Sequence, residues 1–110
     1  MADMDTAVAI DPVLQRFRAA LVALYGPVLD RVVLFGSRAR GDAGPESDYD
    51  LAVFLKQMDN RLAEAYRLAD LRVRFIDDTG AFIDAKPFRV EEYAKRSPLM
   101  HEIRRDGLAL

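Results

Sequence analysis

The chain has 110 residues and a mass of 12.4 kDa, which leaves room for one compact domain and no separate substrate-recognition lobe. Its 16 basic and 18 acidic residues give a formal charge of −2, which argues against a dedicated nucleic-acid clamp. With no cysteine and one histidine, His101, disulfide scaffolds, thiolate metal sites, cysteine nucleophiles and multi-histidine centres are excluded.

Residues 1–10 read as a loose lead-in. Asp3 and Asp5 stand where a secretory signal would carry basic residues, and no apolar run approaches the ~20 residues that span a bilayer. A cytoplasmic address without membrane contact is expected. Asp11-Pro12 is a helix start, with aspartate as N-cap and proline at the first helical position. Val13, Leu14, Phe17, Leu21 and Leu24 then form one apolar face before Gly26-Pro27 ends the helix. The β-branched run Arg31 to Phe35 reads as a buried strand closed by Gly36. Residues 36–47, rich in glycine, read as a loop with one helical turn after Ser37, and a second strand is expected from Tyr49 to Leu55. Asn60 or Asp59 caps a long helix over about 61–76. Its stripe Leu62, Tyr66, Ala69, Val73 and Ile76 is expected to be core or a partner surface. A third strand is expected over Ala81 to Pro87. Ser97-Pro98 opens a last helix that Gly107 stops, with a short helix at 90–95 and a terminal strand at 108–110 beside it. The whole reads as one α+β domain over residues 1–110, an α/β sandwich in which helices cover a small mixed sheet.

The chemistry concentrates in Gly36-Ser37, ten residues, then Asp48-Tyr49-Asp50. Strand residues two apart share a face, so Asp48 and Asp50 sit about 6.5 Å apart on one side. That is close enough to share a pair of divalent ions ~3.5–4 Å apart. All-oxygen ligands favour Mg²⁺, with Mn²⁺ as a substitute, and Mg²⁺ completes its shell with substrate phosphates, which points to a nucleoside triphosphate. Gly36 lets the main chain approach a phosphate and Ser37 offers an N–H and a hydroxyl. Arg38 and Arg40 add positive charge, although only one of them need face the ligand. Asp84 is the candidate third acid, because a carboxylate in an otherwise apolar strand is costly unless it is paired or ligating. Asp77 and Asp78 are its competitors.

Val33-Leu34-Phe35-Gly36-Ser37-Arg38-Ala39-Arg40-Gly41 and Ser47-Asp48-Tyr49-Asp50-Leu51 resemble the signature of minimal nucleotidyltransferases of the polymerase-beta-like superfamily. The resemblance implies that Gly36 and Ser37 hold a triphosphate and that Asp48 and Asp50 bind two Mg²⁺. Asp84 would be the third ligand and would help deprotonate the attacking hydroxyl. Lys86 and Pro87 depart from the apolar residues the family usually carries there. The resemblance also implies a setting: an antitoxin that forms a hetero-oligomer with an all-helical HEPN toxin and moves AMP from ATP onto a tyrosine of it. The alternatives are an antitoxin that neutralises by binding alone, through an exposed patch on the 61–76 helix, and transfer to a small molecule of the aminoglycoside type.

Overall fold

The computed structural model describes residues 11–110; the lead-in expected over 1–10 lies outside them. Helix α1 (Pro12–Tyr25) starts where Asp11 accepts the N–H groups of Val13, at 2.9 Å, and Leu14. It ends at Gly26, and a 3₁₀ turn (Gly26–Val28) leads into β1 (Leu29–Phe35). The single turn α2 (Ser37–Arg40) and a loop separate β1 from β2 (Tyr49–Leu55). Helix α3 (Arg61–Thr79), capped by the Asn60 side chain on the Ala63 N–H at 3.1 Å, leads to β3 (Ile83–Arg89). A 3₁₀ turn (Val90–Ala94), α4 (Pro98–Asp106) and the two-residue β4 (Leu108–Ala109) complete the chain.

The strands form one mixed sheet in the order β3-β2-β1-β4. Strand β1 pairs antiparallel with β2 and β4, whereas β2 and β3, joined through α3, run parallel. Strand β2 is the centre of the molecule. Both of its faces are covered, so Leu51 to Leu55 is buried throughout instead of alternating. On one face Leu51 and Val53 meet Leu14, Phe17 and Leu21 of α1 and Leu68 and Phe75 of α3. Phe17 packs edge-on against Phe75 with ring centroids 5.0 Å apart. On the other face Ala52 and Phe54 meet Val33, Phe35, Phe88 and, from α4, Met100 and Ile103. Pro87 is tolerated because β3 is an edge strand, where a missing N–H breaks no ladder.

Three expectations are corrected. Leu24 is exposed, and Tyr25 takes the last buried place on α1. The stripe on α3 is not core: Leu62, Tyr66 and Val73 are 61%, 68% and 57% exposed. The buried face is Leu68, Leu71 and Phe75. This helix carries two apolar stripes on opposite sides, and the sheet takes the one whose phenylalanine reaches Phe17. The third strand also starts two residues later than expected, at Ile83.

Candidate active site

The site is built from one end of the sheet. Antiparallel pairing sets Phe35 opposite Asp50, and parallel pairing sets Asp50 opposite Asp84. The end of β1, Asp50 and Asp84 therefore lie in a row on the face that α4 covers further along. Tyr49 and Leu51 point to the opposite face, into the core, as period-two alternation requires. Asp48 precedes β2, is exposed, and lies two residues before Asp50.

Gly36 closes β1 with φ +75° and ψ −157°, a region that essentially only glycine occupies. A Cβ placed on it would lie 2.4 Å from Oδ2 of Asp50. The turn and the carboxylate thus fill one space between them, and glycine is the residue that allows it. Directly after it, α2 begins at Ser37, and the first N–H groups of this turn have no carbonyl inside the helix to bond.

The two arginines face different ways. The Arg38 guanidinium stacks on the Tyr49 ring, 4.0 Å from its centroid, and its Nε donates to the Ser47 carbonyl at 2.9 Å. A weaker bond reaches the Pro45 carbonyl at 3.4 Å. Arg38 thereby ties the loop that carries Asp48 to the core aromatic beneath it. Tyr49 is fixed in turn by donating its hydroxyl to Asp11 at 2.9 Å. Burial, then this bond to a carboxylate, pushes its phenol above the usual range. Arg40 reaches the other way, to Asp42 at 3.3 Å and to Glu102 of α4 at 3.4 Å.

The electrostatics of the row follow from its geometry. The Asp50 carboxyl is held above the usual carboxylate range, first by partial burial and then by the Asp84 charge, with Asp48 and Glu102 adding to the effect. Lys86, two residues along β3, opposes it; its Nζ lies 3.6 Å from Asp84. Among the described residues no three acidic or imidazole side chains are drawn together tightly enough to form a ready-made metal cage. The donor chemistry still suits a hard cation, since the row offers carboxylate oxygens whose mutual repulsion a divalent ion would relieve. Beside Asp48, between the loop and the turn before β3, a cleft of about 620 Å³ opens, with Ser47, Gly80 and the half-exposed Phe82 on its walls.

Lys86 and Glu102 reach this corner without having been singled out as site residues. Lys86 left a trace in the sequence as a charge inside an apolar strand. Glu102 left none, because its arrival depends on how α4 packs across β1.

Residues 14–104 match the family model described as a nucleotidyltransferase domain. Over 63 residues the chain is 35% identical to the protein named "Putative protein adenylyltransferase" from Methanocaldococcus jannaschii, a match covering 57% of this chain and 63% of that one. Among solved structures, it is similar to a chain of a toxin–antitoxin complex with AMP-PNP, with a TM-score of 0.61 and 19% identity over 86% of this chain and 70% of that one. It is also similar to a chain of the complex of a tri-AMPylated Shewanella oneidensis HEPN toxin with MNT antitoxin, with a TM-score of 0.55 and 17% identity over 86% and 66% of the two chains. These likenesses establish the nucleotidyltransferase-like fold, a four-stranded mixed sheet flanked by helices.

Proposed function

The chain belongs to the nucleotidyltransferase-domain family, and from that premise we propose that it transfers AMP from ATP to a hydroxyl group, a tyrosine, of a partner protein. The observation that carries this reading is the row itself: a glycine turn moulded against Asp50, with Asp84 in register beside it.

Asp48, Asp50 and Asp84 would hold Mg²⁺, as two ions, or Mn²⁺. Bound there, the metal supplies charge neutralisation for a polyphosphate and acidifies a nearby hydroxyl. Gly36 and Ser37 receive the β- and γ-phosphates through main-chain N–H groups and the serine hydroxyl. Arg40 stands on the carboxylate side and supplies positive charge to the same phosphates. Arg38 acts on this site by holding the loop of Asp48. The cleft beside Asp48 and Phe82 gives an acceptor side chain room to enter. Asp84 takes the proton of the attacking hydroxyl. A bond forms between that oxygen and the α-phosphorus, the bond from the α-phosphorus to the bridging oxygen breaks, and pyrophosphate leaves in line.

Support for the donor and the acceptor comes from the relatives: one carries the name of a protein adenylyltransferase, one complex contains AMP-PNP, and another holds an AMPylated HEPN toxin. The partner is accordingly an all-helical HEPN-type toxin, the chain its antitoxin, and the pair a hetero-oligomer in the cytoplasm. No helix among the described residues is long and apolar enough to cross a membrane.

The test is incubation with labelled ATP, Mg²⁺ and the HEPN-type partner. Wild type should label the partner on tyrosine, and Asp48→Asn/Asp50→Asn should not. Equal labelling by both proteins, or none by either, refutes the reading.

A further inference from the structure

Helix α3 faces the sheet with Leu68, Leu71 and Phe75 and turns a second apolar stripe to solvent: Leu62, Tyr66, Ala69, Val73 and Ile76, the last half-buried. Spacings of four, three, four and three make this a 3.5-residue repeat, the d-a-d-a-d seam of a coiled coil, over about 21 Å of helix. A seam with that period fits another α-helix rather than a sheet edge or an extended peptide.

The charges flanking the seam specify the occupant. Asp70 and Asp77 lie along one side, at the positions lettered e, and Arg72 lies on the other, at g. Neighbouring charges on the helix are already engaged within the chain: Arg67 with Glu64, Arg74 with Asp70, and Asp78 with Arg16. Among the described residues, Arg72 and Asp77 have no ion-pair partner. In a parallel pair the g residue of one helix meets the e residue five positions on in the other, so Arg72 of each copy meets Asp77 of its partner. The antiparallel arrangement that keeps the whole seam instead sets Asp70 against Asp70 and Arg72 against Arg72. The helix is its own complement in one orientation only.

We propose that two copies of this chain associate through α3 as a short parallel coiled coil, with Leu62, Tyr66, Ala69, Val73 and Ile76 at the seam and Arg72–Asp77 pairs across it. Two heptads are short for a permanent interface, so monomer and dimer exchange with concentration. This association needs no nucleotide and stands apart from the transfer reaction, so either can fail without the other.

The test uses the full chain alone. Sedimentation equilibrium from about 10 μM to about 1 mM should show the mass rising from 12.4 kDa towards twice that value. Val73→Asp should stay monomeric with a melting temperature close to that of wild type, since that residue is 57% exposed and lies outside the buried core. Arg72→Asp should weaken the dimer about tenfold by replacing two attractions with two repulsions, and adding Asp77→Arg should restore it. The chain has no cysteine, so Leu62→Cys reports orientation directly. Under mild oxidation it should cross-link to its own copy, whereas Val22→Cys on the exposed side of α1 should not. A mass of 12.4 kDa throughout overturns the proposal. So does a dimer indifferent to Val73→Asp or Arg72→Asp, or a Leu62→Cys variant that cross-links no faster than Val22→Cys. A monomer whose seam becomes protected only when a different helical protein is added overturns it as well.

Discussion

The close fit of Gly36 to Asp50 allows a quantitative test of how the turn is built. Gly36→Ala leaves the backbone at φ +75° and ψ −157°, where a side chain costs of order 1–3 kcal/mol. The new methyl would also stand 2.4 Å from Oδ2 of Asp50, so the carboxylate must leave its rotamer for about 1 kcal/mol more. The two contributions together give about 3 kcal/mol, or roughly 12 °C in melting temperature for a domain of this size. Urea and thermal melts at neutral pH measure the total, and a double-mutant cycle divides it. In the Asp50→Ala background the carboxylate is gone, so Gly36→Ala should cost about 2 kcal/mol there, the backbone share alone. A Gly36→Ala protein that melts within a degree or two of wild type refutes the argument. A cost that vanishes completely in the Asp50→Ala background refutes the backbone share.

Three further outcomes are expected. Because the raised Asp50 carboxyl binds its proton more tightly in the folded than in the unfolded chain, its favourable contribution is complete below the ordinary carboxylate range. It is lost as pH rises through the elevated value. Asp50→Asn should therefore melt above wild type at pH 7, with a gap that narrows on acidification towards about pH 4; a lower melting temperature at pH 7 contradicts the sign. Arg38→Ala loses the stack on Tyr49 and the bond to the Ser47 carbonyl, about 1–2 kcal/mol. Limited proteolysis should then cut faster between Gly41 and Ser47, and Arg38→Lys should recover little, since an ammonium cannot both stack and bond as the planar fork does. Finally, millimolar Mg²⁺ or Mn²⁺ with ATP should stabilise wild type by about 2.7 kcal/mol at a hundredfold excess over Kd, read as a rise in melting temperature. EDTA should reverse the effect and Asp48→Asn/Asp50→Asn should abolish it; an equal shift in that variant would place the ligand elsewhere.

Local chemistry was readable from the sequence where a side chain acts on its own backbone. Asp11-Pro12 and Ser97-Pro98 cap their helices as expected, each accepting an N–H two or three residues on, and Tyr49–Leu55 forms the strand with the expected bounds. The one-turn helix after Ser37 follows from the same local rules. What depends on tertiary order was not readable. Residues 61–79 contain two apolar stripes, and periodicity alone cannot say which one meets the sheet. Arg38 and Arg40 are two residues apart in the same turn, yet one serves the loop and the other turns to Glu102, because Tyr49 lies under the first and α4 lies beside the second. The nearness of Asp50 and Asp84 is a matter of register between strands 34 residues apart in number (50 and 84), fixed by the parallel ladder.

That ladder also explains why the corner is arranged as it is. A partly buried carboxylate at the end of a central strand, with another acid in register on the neighbouring strand, raises the energy of the resting fold: burial first and then the Asp84 charge hold the Asp50 carboxyl above its usual range. Lys86 offsets part of that repulsion from Asp84, but it is a single charge on a flexible stem, and half of it is open to solvent. A divalent cation carrying a polyphosphate would replace this partial compensation with a fuller one while bringing its phosphates against the Gly36 turn. The repulsion within the corner thus contributes to the free energy that would favour a cation over water there. A variant that removes the repulsion should gain stability in proportion to the affinity it loses.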